Sequence, residues 1–197
     1  DQSPAGLGEK EVAARVVINA TGPWSDELRA GVDAPARIRK LRGSHLVFSR
    51  ERLPLNHAVT LMHPRDHRAM FAIPWEGVSL IGTTDLDHTF PLADCEPFCT
   101  AAEIDYILEA ASDTFPALEL GHTDILSTFS GLRPIINTGQ ADPSKESRAH
   151  VVWQEHGLIT VTGGKYTTFR IMAQQALQMA SSRLPNPADF TAKKRYF

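Results

Sequence analysis

Two cysteines in 197 residues are too few for a disulfide framework, so the covalent chemistry asks for no oxidising compartment. No apolar run approaches the roughly 18 residues of a membrane-crossing helix, and no charge of one sign dominates. Twenty basic side chains stand against 23 acidic ones, net −3. That balance gives no broad footprint for nucleic acid or an anionic membrane surface, so any anion site has to be local. No segment repeats at a fixed period, which excludes a solenoid or propeller. With 42% hydrophobic and 22% charged residues, bulk disorder, collagen-like repetition and coiled coil are excluded as well. The chemical absences narrow the field further. The chain has no Gly-x-Ser-x-Gly elbow, no Walker loop and no Gly-x-Gly-x-x-Gly dinucleotide fingerprint. Cys95-x-x-x-Cys99 and His63-x-x-x-His67 lack a second pair at zinc-like spacing, so no bound metal is expected. The chain opens at Asp1 with no start methionine and no targeting segment, and reads as cut from something longer. Asp1 to Gly8 and Pro185 to Phe197 are expected to fray.

What is there is a succession of short elements. Val16 to Ala20 is a β-branched run, the pattern of a parallel strand covered on both faces, and it ends at Thr21-Gly22-Pro23. Ser44 to Phe48, Val59 to Met62, Met70 to Trp75 and Val78 to Thr83 follow as strands whose spacing predicts an antiparallel meander. Glu76-Gly77 suits a two-residue hairpin turn, and Pro74 calls for an edge or a bulge. Thr100 and Glu103 have capping-box spacing; Ile104, Ile107, Leu108, Ala111 and Phe115 then share one helix face, which Pro116 ends. Ile125 to Phe129, Val151 to Trp153 and Leu158 to Thr162 read as strands, the last two as a hairpin around His156-Gly157. A second helix carries Phe169, Met172, Ala176 and Ala180, with Thr167 or Thr168 as N-cap. The predicted class is α+β, an antiparallel sheet with flanking helices.

Four places could carry chemistry. Gly163-Gly164-Lys165-Tyr166-Thr167-Thr168 puts open backbone and a cation before a helix start, where negative charge is favoured; a strand-to-helix turn with a solvated lysine accounts for the same residues. Ser130-Gly131-Leu132-Arg133-Pro134 ends a strand with a well-held arginine, whose planar fork suits phosphate, carboxylate or a structural ion pair. Arg148 follows a polar loop and either adds a second charge or lies on the surface. Gly43-Ser44-His45 begins a strand; His45 is the best candidate acid or base, although its near-neutral pKa is shared by all eight histidines. Asp85, after Thr83-Thr84, reads first as a turn residue satisfying backbone donors.

Taken in order, Val16 to Trp24, Lys40 to His45, Ile81 to Asp85, Ser130 to Pro134 and Gly163 to Arg170 resemble the FAD-dependent glycerol-3-phosphate dehydrogenases, within the D-amino-acid-oxidase-like flavoproteins. The resemblance runs from about Val16 to about Leu184. It implies part of an FAD-binding domain at residues 1–36, a substrate-binding domain with an antiparallel sheet at 37–149, a return to the FAD-binding domain at 150–184, and a tail at 185–197. It implies oxidation of sn-glycerol 3-phosphate to dihydroxyacetone phosphate with FAD, electrons passing to quinone. Arg133, Arg148 and Lys165 would bind the phosphate, with His45, Arg133 and Lys165 beside the reacting alcohol. Ala20, Thr21, Gly22, Gly131 and the run Gly163, Gly164, Lys165, Tyr166, Thr167 and Thr168 would face the cofactor. The dinucleotide fingerprint and a C-terminal helical domain are missing, so the isolated chain is expected to be colourless and inactive, and prone to self-association through exposed interface. By analogy the parent is cytoplasmic, peripheral at the inner face of the membrane. An amine or amino-acid oxidase of the same group, and a non-catalytic binding module, remain the competing readings.

Overall fold

The computed structural model describes residues 11–93 and 96–185. The expectations for Asp1 to Gly8, Cys95 and Asn186 to Phe197 lie outside them. In chain order the elements are β1 (Val17–Asn19), α1 (Ser25–Ala30), β2 (Ile38–Ser49), β3 (Val59–Met62), β4 (Ala69–Trp75), β5 (Val78–Gly82) and β6 (Leu86–Asp87). There follow α2 (Ala101–Thr114), β7 (Ile125–Ile136), β8 (Val151–Glu155), β9 (Leu158–Thr162) and α3 (Phe169–Ala180). The class is α+β, with two sheets.

The smaller sheet, in the order β1-β9-β8, draws on both ends of the chain. β1 pairs in parallel with β9, and β9 returns antiparallel from β8 through His156-Gly157, both at positive φ. β1 departs from the expected doubly covered strand: Val17 and Ile18 are 49% and 39% exposed, because the helices packed on this sheet lie mainly over β8 and β9. Its buried Asn19 shapes the turn that follows. The Asn19 amide donates to the Ser25 carbonyl at 2.9 Å, while its oxygen accepts the Thr21 hydroxyl at 2.7 Å, a side chain standing in for backbone in a turn. α1 is anchored by Arg29, which is fully buried, paired with Asp26 and with Glu155 at 2.6 Å, and lies 5.2 Å from the Trp153 ring centre. Asp26 also accepts the Arg37 and Ile38 amides at 2.9 and 2.8 Å, which fixes where β2 begins.

The larger sheet runs β3-β4-β5-β2-β6, with β7 also paired to β2. β3, β4 and β5 are consecutive neighbours, but β2 pairs with β5, so the expected four-strand meander is three strands with β2 beyond its far side. Glu76 joins Gly77 at positive φ, which makes both turn residues left-handed. Pro74 is tolerated because β3 pairing stops at Ala72, leaving the proline no partner on that side.

β2 and β7, twelve residues each, are longer than the sequence pattern suggests. Gly43-Ser44-His45 does not begin β2 but lies mid-strand, and Ser130 to Pro134 does not end β7 but lies within it. The two polar, glycine-bearing stretches pair with each other, Gly43 opposite Gly131 and Ser44 opposite Ser130, so each satisfies the other's backbone. One face of this sheet packs on α2. Leu46, Phe48, Leu61, Met70, Ala72 and Ile81 meet Ile107, Leu108, Ala110 and Ala111; at about 1.5–3 kcal/mol for each large side chain, this is the main apolar stabilisation of the unit. The capping box of α2 forms as expected. The opposite face carries His45 and then Val47, Leu80, Ile73 and Trp75, around a shallow apolar hollow. α3 lies on β8 and β9 and buries Ala176 and Ala180, while Phe169 and Ile171 stay 64% and 51% exposed.

Candidate functional site

Arg133 projects from β7 across Gly43, where any Cβ would run into its guanidinium and the Thr83 hydroxyl. The glycine is therefore required by the arginine. Three consecutive residues after β5 hold the guanidinium: the Thr83 hydroxyl at 3.1 Å, the Thr84 carbonyl at 3.3 Å and the Asp85 carboxylate at 3.3 Å. Asp85 is more than a turn residue. Its side chain is fully buried and takes two further arginines on its other oxygen, Arg148 at 2.5 Å and Arg68 at 3.4 Å. Three guanidinium groups thus surround one carboxylate, a local surplus of positive charge. Burial holds Arg133 below the usual arginine range; Asp85 opposes this, and the like charges of Arg148 and Arg68 reinforce it.

Immediately behind stands Glu103, 1% exposed. It accepts Ser44 Oγ and Thr84 Oγ1 at 2.8 Å each, the Thr100 amide at 3.0 Å, and Arg42 Nη2 at 2.8 Å. Burial alone would raise its pKa, but the Thr100 amide, Arg42, Ser44 and Thr84 outweigh it and hold the carboxyl at about 2. Glu103 fixes Thr84, and through Thr84 the segment that grips Arg133. Sequence reasoning identified Glu103 only as a cap, and Arg68, in a polar turn, gave no signal at all.

His45 lies on the same sheet face as Arg133, stacked on Phe129 at 4.6 Å with rings 7° from parallel. Gly82 is small because a Cβ there would overlap the imidazole. Burial, and then the charge of Arg133, push the His45 pKa down, which keeps the ring neutral at neutral pH. Nδ1 is buried without a partner among the described residues, an orphaned polar atom of the kind that calls for a ligand.

Lys165 is exposed and shares a cavity of about 490 Å³ with Arg148, His150, Gly164, Thr167 and Thr168. The Gly164 amide donates to the Arg148 carbonyl at 3.2 Å, which brings the glycine turn beside that arginine. Gly163 and Gly164 are both at positive φ, and a Cβ on Gly163 would sit 2.6 Å from the Ala149 carbonyl oxygen. Thr168 holds the N-cap position of α3, yet its hydroxyl turns back to the Lys165 carbonyl at 2.8 Å instead of capping the helix. Arg133 and Arg148 therefore meet on Asp85, Lys165 meets Arg148 across a cavity, and His45 lies on the Arg133 face.

The remaining candidates are open and lie at two places. Gly131 and Gly22 have nothing within 4 Å of where a Cβ would be, and Tyr166 and Phe169 are 91% and 64% exposed. A hollow of about 300 Å³ runs between Pro23-Trp24 and Ser130-Gly131-Leu132, with Thr21 and Ala20 exposed beside it. The hollow's aromatic and glycine lining is compatible with a flat ring such as that of FAD; the sequence has no Gly-x-Gly-x-x-Gly fingerprint for a pyrophosphate. Among the described residues no group of three or more His, Cys, Asp or Glu side chains is placed to hold a metal ion, and no helix is long and apolar enough to cross a membrane. His63 instead stacks on Tyr106 at 3.7 Å.

Comparison with known proteins gives a consistent result. A family model described as FAD dependent oxidoreductase matches residues 2–170. The chain is 38% identical over 176 residues to the aerobic glycerol-3-phosphate dehydrogenase of Staphylococcus aureus strain USA300, covering 88% of this chain and 31% of that one. Among solved structures, the glycerol-3-phosphate dehydrogenase of Bacillus halodurans complexed with FAD superposes with a TM-score of 0.75 at 36% identity, over 87% of this chain and 32% of that one. Glycine oxidase from Bacillus cereus ATCC 14579 follows at TM-score 0.54 and 25% identity, over 85% and 41%. The chain thus spans about a third of the length of the curated relatives it matches.

Proposed function

The chain belongs to the FAD dependent oxidoreductase family, and we propose that it supplies the substrate site of an enzyme oxidising sn-glycerol 3-phosphate to dihydroxyacetone phosphate. The observation that carries this reading is the surplus of cations at Asp85, with Arg133 and Arg148 drawn together and Lys165 across the adjoining cavity. A phosphate monoester carries about −1.5 to −2 charge at pH 7 and offers several acceptor oxygens, which calls for more than one cation. The carboxylate of an amino-acid substrate is met by a single arginine, so the surplus disfavours the oxidase reading.

In the proposed reaction Arg133, Arg148 and Lys165 bind the phosphate and orient carbon 2. When bound, FAD supplies the acceptor of the hydride from that carbon. Neutral His45 takes the hydroxyl proton, which the lowered pKa permits at neutral pH. The positive charge of Arg133 beside it stabilises the alkoxide as the proton leaves. Residues 1–36 and 150–184 are assigned in the same proposal to the FAD-binding part, with 37–149 as the substrate-binding part and 185–197 as a tail. Quinone as electron acceptor, a cytoplasmic parent peripheral at the inner face of the membrane, and self-association of the isolated chain through its exposed faces complete it. The deciding experiment is glycerol 3-phosphate oxidation by the flavoenzyme carrying this segment, with and without Arg133→Ala. A large loss of turnover is expected, and an unchanged kcat/KM contradicts the proposal.

A further inference from the structure

Arg68 belongs to no motif and closes the polar turn between β3 and β4, where an arginine ordinarily lies on the surface. Here the side chain is only 21% exposed and its Nη2 lies 3.4 Å from Asp85 Oδ2. The same oxygen takes Arg148 Nη2 at 2.5 Å. The two terminal nitrogens are therefore no further apart than two contacts through one atom, a span that one phosphate bridges with two of its oxygens. Of the nearby acids, Asp66 accepts the Arg68 amide at 3.1 Å and the Tyr106 hydroxyl at 2.9 Å and offsets part of the Arg68 charge, while Glu109 of α2 takes Arg65 at 2.6 Å. Arg68 also opens onto a cavity of about 650 Å³ that reaches Asp85 from the α2 side. One arginine neutralises a buried carboxylate; a second and a third add mutual repulsion unless another anion arrives.

We infer that Arg68 is a third phosphate-binding guanidinium of the site, and that Asp85 is the positioning residue that keeps it beside Arg148. The inference rests on the glycerol 3-phosphate reading and adds a cation from a segment outside the motifs that suggested it. Asp85 draws in three arginines from β7, the β3–β4 turn and the loop before β8, and holds their terminal nitrogens at one point before substrate arrives.

The test is calorimetric titration of the purified flavoenzyme carrying this segment with glycerol 3-phosphate and with inorganic phosphate, glycerol serving as the uncharged probe. Arg68→Gln is expected to weaken both phosphate-bearing ligands by about tenfold, and Arg68→Lys by less, since it keeps the charge and loses the fork. A structural role alone would lower the melting temperature and leave both dissociation constants where they were, and that result overturns the inference. Arg133→Gln separates the two layers. If it weakens binding while Arg68→Gln does not, the reading stands and the inference falls; if neither does, or if the unsubstituted enzyme takes up neither ligand, both fall. Should Arg68→Gln not fold, the arginine side-chain NMR signals of the unsubstituted enzyme decide: the Arg68 signal moves with added phosphate if the inference holds and stays still if it does not.

Discussion

Glu103 and Asp85 are both buried carboxylates held by arginine, and Glu103 accepts the hydroxyl of Thr84, the residue next to Asp85. Glu103 meets one guanidinium, from Arg42, and completes its shell with the Ser44 and Thr84 hydroxyls and the Thr100 amide and hydroxyl. Its charge is matched and its oxygens are saturated. Asp85 meets three guanidinium groups, all partly exposed, of which Arg68 and Arg148 border cavities. Burial alone does not separate a structural ion pair from a binding site; the balance of charge around the carboxylate does. Glu103 joins α2 to the sheet, whereas Asp85 gathers three cations, which under the proposed function await an anionic guest.

That contrast predicts a descending series of effects. Removing the matched acid should cost most: Glu103→Ala leaves Arg42 buried and unpaired, and should destabilise the fold by about 3–5 kcal/mol in a denaturant titration. A variant as stable as the original would erase the distinction. The stability that ionised Glu103 provides is present above its unfolded pKa of 4.5 and is lost as pH falls toward its folded value of about 2. The second effect concerns binding. In the flavoenzyme Arg133→Ala should lower kcat/KM for glycerol 3-phosphate by about 10- to 100-fold, corresponding to 1.5–3 kcal/mol for charged hydrogen bonds, with a smaller stability loss than Glu103→Ala.

Two glycines sharpen the comparison further. Gly43→Ala would force the Arg133 guanidinium aside, which should weaken phosphate binding in calorimetry and cost about 1–3 kcal/mol of stability through overpacking. Gly131→Ala, directly opposite in the sheet, meets nothing and should leave thermal stability within about 0.5 kcal/mol. Equal effects at the two positions would contradict the geometry. The smallest effect concerns His45. Its NMR titration midpoint should lie below 6.5, from burial and then from Arg133, and should rise in Arg133→Gln. Because the folded pKa is the lower one, His45 contributes stability above the unfolded value of 6.5 that is lost as pH falls through the folded midpoint.

Much of the local structure was legible in the sequence. The Thr100–Glu103 box, the Glu76-Gly77 and His156-Gly157 turns and the apolar face of α2 follow from spacing and from backbone conformations only certain residues adopt. The lengths of β2 and β7 were not legible, because Gly43 and Gly131 read as strand breakers until each is placed opposite the other across 87 intervening positions. Of the site, Arg133 could be singled out from its glycine and proline neighbours and His45 from its chemistry. Arg68 and the true role of Asp85 could not. Their contact is set by how the β3–β4 turn comes to rest beside the end of β5, a matter of topology that leaves no periodic trace.

The most direct measurement is a crystal structure of the flavoenzyme carrying this segment with glycerol 3-phosphate bound. The account predicts phosphate oxygens within hydrogen-bonding distance of both Arg133 and Arg148, with Asp85 still gripping them from behind. A phosphate bound elsewhere, with both arginines committed to Asp85 alone, would contradict it.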